Sequence, residues 1–168
     1  MALFLIKIRR TRWLRSNIPP WVPPGDFPAA LLDDLRVTPD GELSIWHIED
    51  DRSNLQQVTT ALAANRDHVS NIDYALFDPS LVSGLAVKVR ETPGKTPYSE
   101  ANRWHRDLLE VSAKRLLELA KRIFQSADPT RVLEQEVLDQ IRKAVDGRRI
   151  DPKHLNKGIS DKLSSMQS

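Results

Sequence analysis

Alternation of apolar and polar residues with a period of two marks four stretches of the chain. Leu3 to Arg9 places Leu, Phe and Ile on both faces, which predicts a strand in an inner position of a sheet. In Leu43 to Glu49, Leu43, Ile45 and His47 alternate with Ser44, Trp46 and Ile48. In Ile72 to Asp78, Ile72, Tyr74 and Leu76 alternate with Asp73, Ala75 and Phe77. Leu85, Val87 and Val89 alternate with Ala86, Lys88 and Arg90, so this fourth strand has one wet face and is expected at an edge guarded by its bases.

A period near 3.6 takes over elsewhere. The longest such pattern, Thr96 to Ser126, predicts a helix over 97–126 that starts at Pro97 behind a Thr96 cap. Leu108, Leu109, Leu116, Leu119, Ala120 and Ile123 fall on one side, and Arg103, Asp107, Glu110, Lys114, Glu118 and Lys121 on the other. His105 projects into that apolar face. Leu55, Val58 and Leu62 predict a helix ending near Asn65, introduced by the capping box Ser53-x-x-Gln56. Asp128-Pro129 is read as the start of a further helix through Val132, Leu133, Val137, Leu138, Ile141, Ala144 and Val145 to Gly147. Asp151-Pro152 opens a last piece, with Leu155, Ile159 and Leu163 every four residues.

These elements specify an α+β fold: a small mixed sheet of about four strands, one crossover helix after Glu49, and a C-terminal antiparallel helical hairpin. The organisation expected is a core domain over 1–127, including the long helix 97–126, and a helical extension over 128–168 packed on it or projecting from it. Between the first two strands, Pro19-Pro20-Trp21-Val22-Pro23-Pro24-Gly25 forbids helix or central strand. It is read as a structural loop that Trp21 anchors on its own domain, although Pro20-x-x-Pro23 formally matches a ligand for an aromatic groove. Phe27 to Leu35 is expected to lay a short helix over the core, and Asp40-Gly41 to turn the chain into the next strand.

Composition narrows the class. At 168 residues and 40% hydrophobic content the chain can build one domain with a proper core. The absence of cysteine excludes disulfides, thiolate metal sites and cysteine nucleophiles, and fits a reducing cytoplasm, the expected location. The apolar run Ala2 to Ile6 is too short for a secretory signal, and no stretch approaches the roughly 20 apolar residues of a membrane span. The net charge of +2 conceals an asymmetry: residues 1–22 carry five bases and no acid, residues 23–80 a net charge of −8, and residues 81–168 a net charge of +5. The basic ends either pack beside the acidic middle or face a charged partner.

Candidate chemistry is sparse. His47 beside Glu49-Asp50-Asp51 is raw material for a hard cation or for acid/base work, but acids just before a helix start are also favoured by its dipole. His105 is the other residue out of place. A small hydrolase or transferase would join His47, Glu49 and Asp51 to His105 across a sheet–helix seam. Pro93-Gly94-Lys95-Thr96 lacks the first glycine of a phosphate-binding loop, since Val89 stands there, although a helix start with Lys95 beside it can hold a lone anion. The four histidines show no metal-ligand spacing.

The function expected is therefore a non-catalytic interaction module, an accessory subunit of prokaryotic type with no cofactor and no metal. It would bind another protein through its C-terminal helices, with Arg148, Arg149, Lys153, Lys157 and Lys162 as contacts. Nucleic-acid binding through Arg9 to Arg15 and Arg148 to Lys162 is the rival reading.

Overall fold

The computed structural model describes residues 1–166. The two-sided apolar run at the amino end forms β1 (Leu3–Lys7), followed by the single turn α1 (Arg10–Trp13). A 3-10 turn over Ala29–Asp34 covers the core where a short helix is expected, and the Asp40-Gly41 turn leads into β2 (Leu43–Ile48). Next come α2 (Leu55–Ala64), β3 (Ile72–Phe77), β4 (Lys88–Glu91) and β5 (His105–Leu109). The chain continues through α3 (Ala113–Ser126), β6 (Pro129–Val132), α4 (Glu134–Asp146) and α5 (Lys157–Ser165).

The protein is α+β, and its six strands form one sheet in the order β4-β5-β2-β1-β3-β6 with every neighbouring pair antiparallel. The two-sided strand β1 is central, as its composition demands. β4 is at an edge, as its bases lead one to expect, but it begins at Lys88 rather than Leu85 and all four of its residues are exposed, so the expected apolar face is missing. β2 and β3 both run opposite to β1, so α2 is a crossover between two parallel strands. In the same way α3 crosses the opposite face from β5 to β6.

Both faces of the sheet are apolar, and each has its own layer. Leu5, Trp46, Ile48, Ile72 and Tyr74 pack with Val58 of α2, Leu138 and Ile141 of α4, and Ile159 of α5. Phe4, Ile6, Ile45, Phe77 and Leu108 pack on the other face with Leu119, Ile123 and Phe124 of α3, and with Trp13, Leu31 and Leu35.

The predicted helix over 97–126 does not form as one piece. Residues 101–104 make a 3-10 turn, 105–109 are β5, and only 113–126 are helical. Leu108 is buried from a strand, and β5 hydrogen-bonds on both sides, to β2 and to β4. Sheet pairing overrides the helical spacing of the leucines. Glu110 turns the chain at φ +62, and Ser112 is the cap of α3, its Oγ accepting from the Arg115 amide.

The strand count is six instead of about four because β5 and β6 lie inside segments read as helix. Asp128-Pro129 begins β6, which pairs with β3 and separates α3 from α4, so the expected hairpin is replaced by two helices on opposite faces of the sheet. The Ser53 capping box is also absent: α2 starts after Asn54, and the Ser53 hydroxyl donates to Glu49 Oε2 at 2.8 Å.

Two buried carboxylates fasten the periphery. Asp73 of β3 accepts from Arg131 Nε at 2.7 Å, from Arg131 Nη2 at 2.9 Å and from the Arg10 amide at 2.9 Å, tying β6 and α1 to the sheet. Burial alone would raise the Asp73 carboxyl, but Arg131 and the Arg10 amide outweigh it and hold the group below its usual range. Asp34, with a side chain only 6% exposed, accepts from the Arg9 amide at 2.8 Å, Trp13 Nε1 at 3.0 Å and Arg12 Nη1 at 3.3 Å.

Because Ile123 and Ile141 lie in separate cores, Ile123→Ala and Ile141→Ala should each cost about 2–5 kcal/mol, and the double variant should match their sum within about 0.5 kcal/mol in urea unfolding. A large coupling would mean that the sheet transmits packing between its faces. A depressed folded pKa at Asp73 contributes stability above the unfolded carboxyl value, and that stability is lost as pH falls through the folded value. The stability gap between wild type and Asp73→Asn should therefore be full at neutral pH and close below about pH 4. Denaturation midpoints measured across that window check it.

Candidate functional site

His47 and the acids after it stand on a tight turn. The His47 side chain faces the α3 layer, edge-on to Phe4 with ring centroids 6.5 Å apart. The buried Asn54 closes the turn, its Nδ2 donating to the His47 carbonyl and its Oδ1 accepting from the Glu49 amide, both at 3.0 Å. Asp51 accepts from the Ser53 amide at 2.9 Å, which lowers its carboxyl, and Asp50 lies 3.2 Å from the amino terminus. Glu49 and Asp51 are held by the turn itself, both through Ser53. Among the described residues no group of three His, Asp or Glu is placed to hold a metal ion.

His105 opens β5, in register with Trp46, and therefore projects on the face opposite His47. Its ring meets Trp46 edge-on at 5.1 Å. Nδ1 lies 2.8 Å from the Thr92 carbonyl, which only accepts, so the proton is on that nitrogen. Nε2 is 3.9 Å from Asp107 Oδ1, and the same buried carboxylate accepts from Ser44 Oγ at 3.3 Å and faces Arg90 Nη2 at 3.7 Å. The structure gathers His105 with Asp107, Ser44 and Arg90, and the sheet separates it from His47, Glu49 and Asp51. Asp107 escapes the sequence reading because a helical wheel puts it on the solvent face; strand alternation puts it beside His105.

The loop before β5 offers no anion cradle. Gly94 N donates to the Asn102 carbonyl at 2.8 Å and Thr96 N to Asn102 Oδ1 at 3.0 Å, so these two amides are spent, and the helix start expected beside Lys95 does not form. A Cβ at Gly94 would stand 2.8 Å from Asn102 Oδ1, so the chain passes that closely. The proline segment differs from expectation in another way. Trp21 is 80% exposed and anchors nothing, and the Val22 amide donates to the Pro19 carbonyl in a turn, which rules out an extended polyproline ligand there.

The basic ends have opposite fates. At the amino end Arg12 pairs with Asp33 and Asp34, Arg15 with Asp128, and Arg9 lies 3.9 Å from Asp34. The acidic middle thus takes up Arg12, while the partner of Arg15 comes from the third charge segment. At the carboxy end Arg148 turns the chain out of α4 at φ +57, and Ile150, Leu155 and Ile159 bury themselves beneath the connection to α5. Above them Arg148, Lys153 and Lys157 are exposed and make no ion pair or side-chain hydrogen bond among the described residues. Lys162 Nζ lies 3.9 Å from Glu134, and the Arg149 guanidinium carbon lies 5.9 Å from the Tyr98 ring centre.

Comparison with protein-family models, with curated proteins and with solved structures finds no match.

Beneath Arg149 a cavity of about 50 Å³ separates α2 from α4, lined by Thr60, Tyr98, Gln140 and Lys143 among others. Tyr98 is 1% exposed, and its hydroxyl has no hydrogen-bond partner. Burial pushes its phenol up, and Arg149 nearby partly offsets the rise without reaching bonding geometry. A buried hydroxyl without a partner costs about 1–3 kcal/mol. Tyr98→Phe should thus leave the urea midpoint unchanged or raise it, and a loss above about 1 kcal/mol would show a partner in solution.

Proposed function

We propose that this chain is a non-catalytic binding module that docks an acidic surface of another protein on Arg148, Arg149, Lys153, Lys157 and Lys162. The observation that carries the reading is the contrast between the two basic ends. Carboxylates of the same chain take up Arg12 and Arg15, whereas Arg148, Lys153 and Lys157 face solvent with no counter-charge among the described residues. Complementary charge across such a surface speeds encounter and fixes register. Nucleic-acid binding by both basic ends is less favoured, because Arg12 and Arg15 in the amino-terminal half of that footprint are already paired from within.

The test is a Arg148→Glu/Lys153→Glu/Lys157→Glu variant. None of the three side chains makes a bond that the fold needs, so thermal stability should stay within about 0.5 kcal/mol of wild type. Affinity for a partner captured from native lysate and then purified should fall at least about tenfold, about 1.4 kcal/mol. Unchanged affinity, or tight binding to a short duplex whose log affinity falls steeply with log salt, would remove the proposal.

A further inference from the structure

β1 and β2 pair only as far as Leu5 and Trp46. Beyond that point β1 continues with β3 alone, through Lys7 opposite Tyr74 and the Ile8 amide donating to the Asp73 carbonyl at 3.1 Å. The freed flank of β2 is taken by Val37, which bridges to Leu43. Where the strands part, a cleft of about 570 Å³ opens, within the usual range of small-molecule sites. Four cations line it, Lys7, Arg9, Arg12 and Arg36, against two carboxylates, Asp33 and Asp34.

The carboxylates are already committed. Arg12 reaches both, each at 3.3 Å, and also donates to the Ala30 carbonyl at 3.1 Å. Asp34 is filled further by the Arg9 amide and Trp13 Nε1. Arg9 keeps only a long ion pair of 3.9 Å with Asp34, from a side chain 65% exposed. Lys7 and Arg36 make no hydrogen bond or ion pair among the described residues. The Lys7 ammonium is lowered by the protein packed around it and then by Arg66, Arg36 and Arg9, with Asp34 alone opposing. An anion in the cleft would counter the repulsion that Lys7 meets from Arg36 and Arg9 on the same walls.

We propose that this cleft binds the phosphate group of a small phosphorylated molecule, with Lys7 and Arg36 as direct contacts and Arg9 at the rim. The excess of two positive charges matches a phosphomonoester, which carries about −1.5 to −2 at neutral pH. Arg36 supplies a planar fork and Lys7 a mobile point charge, the two donor types that phosphate sites combine. Ile6, Ile8 and Leu43 give the remainder of the ligand an apolar surface. The concave shape and the neutralisation of Arg12 and Arg15 favour a small ligand over a nucleic-acid backbone, which needs a continued basic track. This site is separate from the proposed partner surface, and either can fail without the other.

The experiment is a pyrophosphate titration of the full chain at constant ionic strength, followed by amide chemical shifts and by calorimetry. One saturable site is expected, with shifts confined to residues 6–9, 33–37 and 43–44. The Lys7→Met and Arg36→Gln variants should each weaken binding about tenfold or more while melting at or above the wild-type temperature, because each removes an unpaired cation. Three outcomes overturn the proposal: no saturable shift at the cleft up to about 10 mM pyrophosphate, equal binding by wild type and both variants, or an oligonucleotide of matched charge binding far more tightly than pyrophosphate.

Discussion

The structure depends on the two-sided burial of β1. A strand that carries Leu5 toward one face and Phe4 and Ile6 toward the other cannot be satisfied by a single layer of helices. It needs hydrogen-bonding neighbours on both edges and apolar cover above and below. The chain meets this with two crossovers on opposite faces, α2 between β2 and β3 and α3 between β5 and β6, and then returns α4 and α5 to the α2 side. The sheet becomes a partition with a separate core on each side. Function must then lie where the partition is incomplete, at the edges, at the splayed end of β1 and β2, or on the outer surfaces of the helices.

Much of this was legible where one physical signal dominated. Two-sided composition placed β1 inside, alternation found β2 and β3 with the correct faces, and the bases of β4 marked an edge. The failures share a cause: Leu108, Leu116 and Ile123 happen to keep helical spacing across a strand, a turn and a helix, and only pairing with β2 and β4, neither of them a local neighbour within a helical turn, decides between them. Pro129 misled for a related reason. Proline tolerates both the first turn of a helix and an edge strand, and Val132 satisfies either pattern. With β5 and β6 read as helix, the strand count and the supposed hairpin followed.

The site residues divide along the same line. Local chemistry was readable: Glu49 and Asp51 serve their own turn, as their nearness to a helix start suggested, although Asn54 does the closing in place of a capping box. Long-range chemistry was not. That Arg12 spends itself on Asp33 and Asp34, that Lys7 has no such partner, and that His105 shares Asp107 with Ser44 all depend on segments brought together by the sheet. Opposite charge along a chain predicts that neutralisation will occur, but not which cations are left over, and the remainder is what a ligand or a partner can use.

The placement of β1 at the centre of the sheet also bears on how the molecule is made. The strand translated first is the innermost, its two neighbours are the next two strands synthesised, and both outer margins are supplied later. Each newly emerged strand up to β3 can add to a template already present, and the last apolar surface to lose its cover of solvent is the one closed by α4 and α5. Growth outward from the middle means that the growing polypeptide does not have to hold its most aggregation-prone strand waiting for a partner at the far end of the chain.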